Sequence, residues 1–231
     1  MEQAGMTPEK EKLQLKKWIL LVGMLLSLAL LVTASLFLIK IKGWQGGRNR
    51  MSLLTVVNAE QRVPEDSGQT MAYIDDEHMI DARCAAALEG MLKACRAAGC
   101  DVEITAAYRS ESEQRELYNA RVEALIKEGN DEQSAKSLAL REIDPPGCSE
   151  HQLGLAVDLL GGEDPERTEK WLSEHAWEHG FILRYPDGKE SITQHSYVPG
   201  HYRYVGPDAA KQIHELSVTL EEYLSMFYSN S

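Results

Sequence analysis

Apolar positions recur at helical spacing over residues 76–98, where Ile80, Cys84, Leu88, Met91, Leu92 and Cys95 make one stripe and Gly99 ends it. "DVEITAAYR" (101–109) then alternates Val102, Ile104 and Ala106, which predicts a strand. A charged helix is expected over 110–128, burying Leu117, Tyr118, Val122, Leu125 and Ile126. Gly129 breaks it, and a second helix follows over about 131–142. "DPPG" (144–147) reads as a turn, because Pro fixes φ and Gly tolerates the reversal after it. "GLAVDLL" (154–160), "FILRY" (181–185) and "HYRYVG" (201–206) read as strands, with helices over 165–179 and 207–227. Strands and helices mix without regular βαβ alternation, so the fold class is α+β, a small and mainly antiparallel sheet flanked by helices.

Ahead of this lies a different pattern. Residues 18–39, "WILLVGMLLSLALLVTASLFLI", carry no charge and are long enough to cross a bilayer as a helix. The run continues past the small residues Thr33–Ser35, unlike a cleaved signal peptide, whose apolar core is shorter. Lys10, Lys12, Lys16 and Lys17 before the span are matched by Lys40, Lys42, Arg48 and Arg50 after it, so charge alone does not orient it. The expected organisation is an N-terminal segment (1–17), a transmembrane helix (18–39), a Gly-rich tether (40–52) and a folded domain (53–231).

Composition narrows the function. A formal net charge of −12 argues against nucleic acid, which is held by clustered Lys and Arg. Four cysteines allow three pairings; Cys84 and Cys95 sit on one predicted helix, about 16 Å apart, too far to bridge.

The chemistry concentrates in "SEHQLGLAVD" (149–158) and "HYRYVG". His151 and Asp158 flank small residues that allow close backbone approach, and His201 is the natural third partner. Two imidazoles and a carboxylate suit zinc, and three protein ligands leave an open position. Taken singly, His151 reads as a surface histidine, Asp158 as a turn cap, Arg109 as an ion-pair residue and Ser149 as a turn residue. The ensemble reads differently. "SEHQLGLAVD" fits the S-x-H-x-x-G-x-A-x-D signature of zinc D-alanyl-D-alanine carboxypeptidases of the VanY type. "AAYRS" followed by Gln114 resembles another segment of that family. "VVNAEQRVPED" (56–66), "GFILRYPDGKESIT" (180–193) and "HYRYVG" resemble three more, in the family's order.

The resemblance implies zinc on His151, Asp158 and His201, with Arg109 meeting a substrate carboxylate or developing oxyanion, and Gln114 and Ser149 hydrogen-bonding substrate. It implies a peptidoglycan stem peptide as partner, and therefore a domain outside the cytoplasm on an N-terminal membrane helix. One departure stands out. The family's second motif is usually E-P-W-H, whose Glu is the general base; here it reads Val198, Pro199, Gly200, His201. Valine accepts no proton. Two readings remain: a peptidase with a relocated base, for which His195 and Glu150 are the nearest candidates in sequence, or a zinc-retaining protein that binds cell-wall peptide without cutting it.

Overall fold

A computed structural model of the chain describes residues 53–65 and 67–228 and, before them, only Trp18, Met24, Leu31–Thr33 and Ser35, all helical. The chain divides into two units, Met1–Asn49 and Arg50–Ser231. The expected tether (40–52) therefore lies outside the described residues, and so does most of the expected membrane span. Among the described residues, no helix is long and apolar enough to cross a membrane.

The second unit is built on a four-stranded antiparallel sheet. In chain order its strands are β3 (Val102–Ala106), β4 (Ala156–Gly161), β5 (Phe181–Leu183) and β6 (His201–Tyr204), arranged β3-β4-β6-β5. A separate hairpin pairs β1 (Met71–Tyr73) with β2 (Met79–Asp81). The expected α+β class and antiparallel sheet are present.

Alternation along β4 and β6 decides what each face carries. Val157, Leu159, Tyr202 and Tyr204 enter the main core, where the stripe of α1 (Ala82–Ala97) covers them. Asp158, His201 and Arg203 fall on the opposite face. Asp81, the last residue of β2, caps helix α1 by accepting from the Arg83 N–H, so the helix begins at Ala82, six residues later than the stripe suggested. All four cysteines are free and buried, with no Cys84–Cys95 bond, as the helix spacing required.

Helix α2 (Glu111–Lys127) is closed at its start by a capping box between Ser110 and Glu113. Its buried side chains are Gln114, Val122 and Leu125; Leu117 and Ile126 are 41% and 42% exposed, contrary to the predicted stripe. Val122 and Leu125 pack on Ala135 and Ala139 of α3 (Glu132–Ala139), a small cluster that leaves the apolar face of α2 narrow. The helix expected over 165–179 is α4 (Pro165–His175) followed by a 3₁₀ turn, and a one-turn helix α5 (Glu190–Thr193) precedes β6. The closing helix is two: α6 (Pro207–Leu216) and α7 (Leu220–Tyr228), separated at Ser217, whose φ of 53° no helix accommodates. They bury Ala210, Ile213, Leu220 and Tyr223 against Ile182 and Val205.

The sheet's polar face also carries a buried ionic network. Glu150 Oε1 is 2.8 Å from Arg184 Nε and 2.7 Å from Arg203 Nη1, and all three side chains are fully buried. Arg184 also donates to Glu221 at 2.6 Å and 3.0 Å. Arg203 Nη2 donates to the carbonyls of Leu53 and Thr55, which ties the domain's first residues to β6. Burial opposes charge on Glu150, but the two guanidiniums outweigh it and hold the carboxyl well below the usual range.

Candidate metal centre

Register brings the predicted ligands together. Asp158 of β4 pairs directly with His201 of β6, and Ala106 of β3 pairs with Asp158 from the other side. Asp158 Oδ1 is 2.7 Å from His201 Nδ1, and Asp158 Oδ2 is 3.3 Å from His151 Nε2. One ligand atom from each of the three lies within 4.8 Å of the others.

His151 rides on a 3₁₀ turn (Glu150–Leu153) that Ser149 caps through its Oγ. Gly154 ends the turn at a left-handed φ of 67°, where a Cβ would stand 3.0 Å from the Asp81 backbone nitrogen. The Nδ1–H of His151 donates to the Ala107 carbonyl at 2.6 Å, which turns Nε2 toward Asp158. That Nε2 is buried and has no hydrogen-bond partner. His201 presents Nδ1 to Asp158, while its Nε2 faces Glu150 Oε2 at 3.8 Å.

Burial disfavours charge on all three, and their pairing then separates them. The neighbouring imidazoles hold Asp158 well below the carboxylate range. Against its own burial, Asp158 pushes His201 up to about 9. Burial lowers His151, and Asp158 only partly opposes it. A divalent cation would substitute for the His201 proton, as metal binding to imidazole does generally.

These groups open onto a cavity of about 180 Å³. Arg109 enters it from the turn ahead of the α2 capping box, its N–H donating to the His151 carbonyl at 3.3 Å. Its Nη2 lies 3.4 Å from Asp158 Oδ2 and its Nη1 donates to Gln114 Oε1 at 2.9 Å. Gln114 donates in turn to the Asp144 carbonyl at 2.6 Å, so its amide is taken up in aiming the guanidinium. Ser149, only 2% exposed, lines the cavity beside His151.

Val198 also lines the cavity, where a carboxylate was expected. Of the two substitute bases named from sequence, Glu150 lies behind His201 and is neutralised by two arginines. His195 lines the cavity, as do Asp144 and Tyr185, which sequence reasoning passed over. Asp144 was visible only as the first residue of a turn, and Tyr185 only as a strand residue. Neither had a spacing signal tying it to the motifs.

Comparison with known proteins agrees with this geometry. The VanY model, D-alanyl-D-alanine carboxypeptidase, matches residues 77–207. A D-alanyl-D-alanine carboxypeptidase of Enterococcus faecalis (strain ATCC 700802 / V583) is 35% identical over 184 residues, covering 78% of this chain and 68% of that protein. VanYB in complex with D-alanine-D-alanine superposes with a TM-score of 0.73 at 34% identity, over 75% of this chain and 98% of that one. A Glu-to-Ala variant of the vancomycin-resistance D,D-pentapeptidase VanY, solved with Zn(II), gives 0.71 at 35% identity, over 75% and 99%. The LD-carboxypeptidase LdcB gives 0.62 at 32% identity, over 77% and 87%. With the matched segment spanning the sheet, the cavity and all three candidate ligands, this chain belongs to the VanY D-alanyl-D-alanine carboxypeptidase family.

Proposed function

We propose that this chain is a membrane-anchored zinc carboxypeptidase that removes the C-terminal D-amino acid from peptidoglycan stem peptides, its catalytic domain outside the cytoplasm. The observation that carries the reading is the convergence of His151 Nε2, Asp158 and His201 within 4.8 Å, beside the Arg109 guanidinium. The donor set fits zinc. It offers two imidazole nitrogens and one carboxylate, as three-ligand catalytic sites do, and His151 Nε2 is buried without another partner.

His151, Asp158 and His201 would hold the ion, with Glu150 beside the outer nitrogen of His201 in the manner of a carboxylate–histidine–metal relay. Zinc, when bound, supplies a Lewis acid that polarises the scissile carbonyl and acidifies the attacking water. Arg109 meets the free C-terminal carboxylate that defines a carboxypeptidase substrate, and a planar guanidinium held by Gln114 is suited to that fork geometry. Ser149, at the cavity wall, hydrogen-bonds the peptide.

The N-terminal apolar run supports anchoring, and a cell-wall substrate requires the domain on the outer side. Mass spectrometry of peptides ending in D-Ala-D-Ala and in L-Lys-D-Ala, incubated with the zinc-loaded chain, tests the activity. Loss of one terminal D-alanine from at least one of them is expected. Peptide that binds and returns intact would favour the non-hydrolytic reading, which rests on Val198.

A further inference from the structure

With valine at position 198, the cavity needs another proton acceptor. His151, Asp158 and His201 are committed to the ion. Glu142 is held at the rim by Arg121 through contacts of 2.7 Å and 3.1 Å. The Tyr185 hydroxyl is pushed well above its ordinary range by burial. His195 and Asp144 remain.

His195 is 7% exposed, lines the cavity, and has both ring nitrogens buried without a hydrogen-bond partner. Its Nε2 lies 3.6 Å from Asp144 Oδ1, whose residue lines the same cavity. The imidazole stacks on Tyr185 at 4.2 Å between centroids, and Tyr185 stacks on His201 at 5.0 Å, so the Tyr185 ring links His195 to His201 and His195 itself meets the site through the cavity they both line. Gln194, the residue before it, ends α5 in the left-handed region with a φ of 61°. Ser196 N–H then fastens the segment to the Arg141 carbonyl at 3.0 Å. The charged and titratable groups facing His195 are Asp144 and Glu142 from the loop after α3 and Tyr185 from the end of β5, with His201 beyond Tyr185.

We infer that His195, oriented by Asp144, is the proton acceptor of this enzyme, in place of the carboxylate that Val198 removes. The inference rests on the peptidase reading above. The water oxygen bonds to the scissile carbonyl carbon as His195 takes one water proton. Asp144 stabilises the imidazolium. The C–N bond then breaks as His195 returns that proton to the departing amine nitrogen, the second water proton passes from the new carboxyl group to the freed amine, and the products are a shortened peptide carboxylate and a D-amino acid with a protonated amine. The arrangement is that of a histidine base steadied by a buried carboxylate.

The experiment compares wild type, His195→Gln, Asp144→Asn and the double variant His195→Gln/Val198→Glu, as detergent-solubilised full chains, on one D-Ala-D-Ala-ended peptide. Each is also assayed for zinc content and thermal midpoint, and His195→Gln for peptide affinity by calorimetry. His195→Gln should lower kcat by about 10²–10⁴-fold, the usual size of general-base assistance, with zinc content and peptide affinity unchanged. Asp144→Asn should lower kcat less, at unchanged KM, and the double variant should recover part of the loss. If His195→Gln does not fold, Asp144→Asn carries the test through its kcat-against-KM split. Wild-type turnover with His195→Gln and Asp144→Asn equally fast would overturn the inference and leave the peptidase standing. Wild type that binds zinc and peptide without cutting would overturn both.

Discussion

Asp158 and His201 are register partners on adjacent strands, and the same pairing that builds the sheet holds Oδ1 2.7 Å from Nδ1. Cross-strand neighbours share a face, so correct strand pairing by itself sets two of the three candidate ligands. A one-residue slip of β6 would send His201 into the core and Tyr202 into the cavity. Only His151 is supplied from outside the sheet, and its turn is pinned by Gly154 and by the Ala107 carbonyl.

His151→Ala should therefore strip zinc while leaving the fold largely intact. The side chain contributes a ligand atom and one hydrogen bond, and the sheet pairing does not depend on it. Elemental analysis should show about one zinc per wild-type chain, as a three-ligand site holds one ion, and far less in the variant. Full metal retention would mean that the site has been misassigned.

Glu150→Ala should be among the most destabilising single changes. It would leave Arg184 and Arg203 buried without their shared counter-ion, and breaking such a pair costs about 3–5 kcal/mol. Denaturant unfolding is the measurement. The sign with pH comes from the depressed folded-state value of Glu150: its contribution is fully present above the ordinary glutamate range and is lost as pH falls toward that lowered value. Wild type should lose stability on acidification more steeply than Glu150→Gln.

Gly200 is fixed by the approach of two strands. A Cβ there would stand 2.5 Å from the Leu159 carbonyl oxygen, and Leu159 N–H donates back to Gly200 O at 2.9 Å. Restoring the family's tryptophan at this position should cost of order 1–3 kcal/mol through overpacking and disturb His201 beside it. Gly200→Trp that melts at the wild-type temperature with full zinc content would contradict this.

Much of the domain was legible in the sequence, for physical reasons. The α1 stripe from Cys84 to Cys95 has an unambiguous period and a core to match it. His151, Asp158 and His201 stood in motifs dense enough to read. What failed to show were features set by tertiary context. Strands β1 and β2 have three residues each, too few for alternation to register. Ser217 interrupts the last helix with no Gly or Pro to announce it. Leu117 looked like core, but it borders the cavity. The Asp144–His195 contact joins residues 51 positions apart and has no local signature.

Topology is separable from chemistry. Protease added to intact wall-less cells should digest the 53–231 domain and spare a cytoplasmic marker. Protection of the domain would refute both the outward orientation and the cell-wall role.

The most direct test of the central claim is D-alanine release from a D-Ala-D-Ala-ended peptide through a cycle of zinc removal and return. The account predicts that the zinc-loaded wild-type chain releases D-alanine, that chelation abolishes release, and that stoichiometric zinc restores it. Release that persists in the fully zinc-depleted chain, or its absence from a chain that holds zinc and binds the peptide, would contradict it.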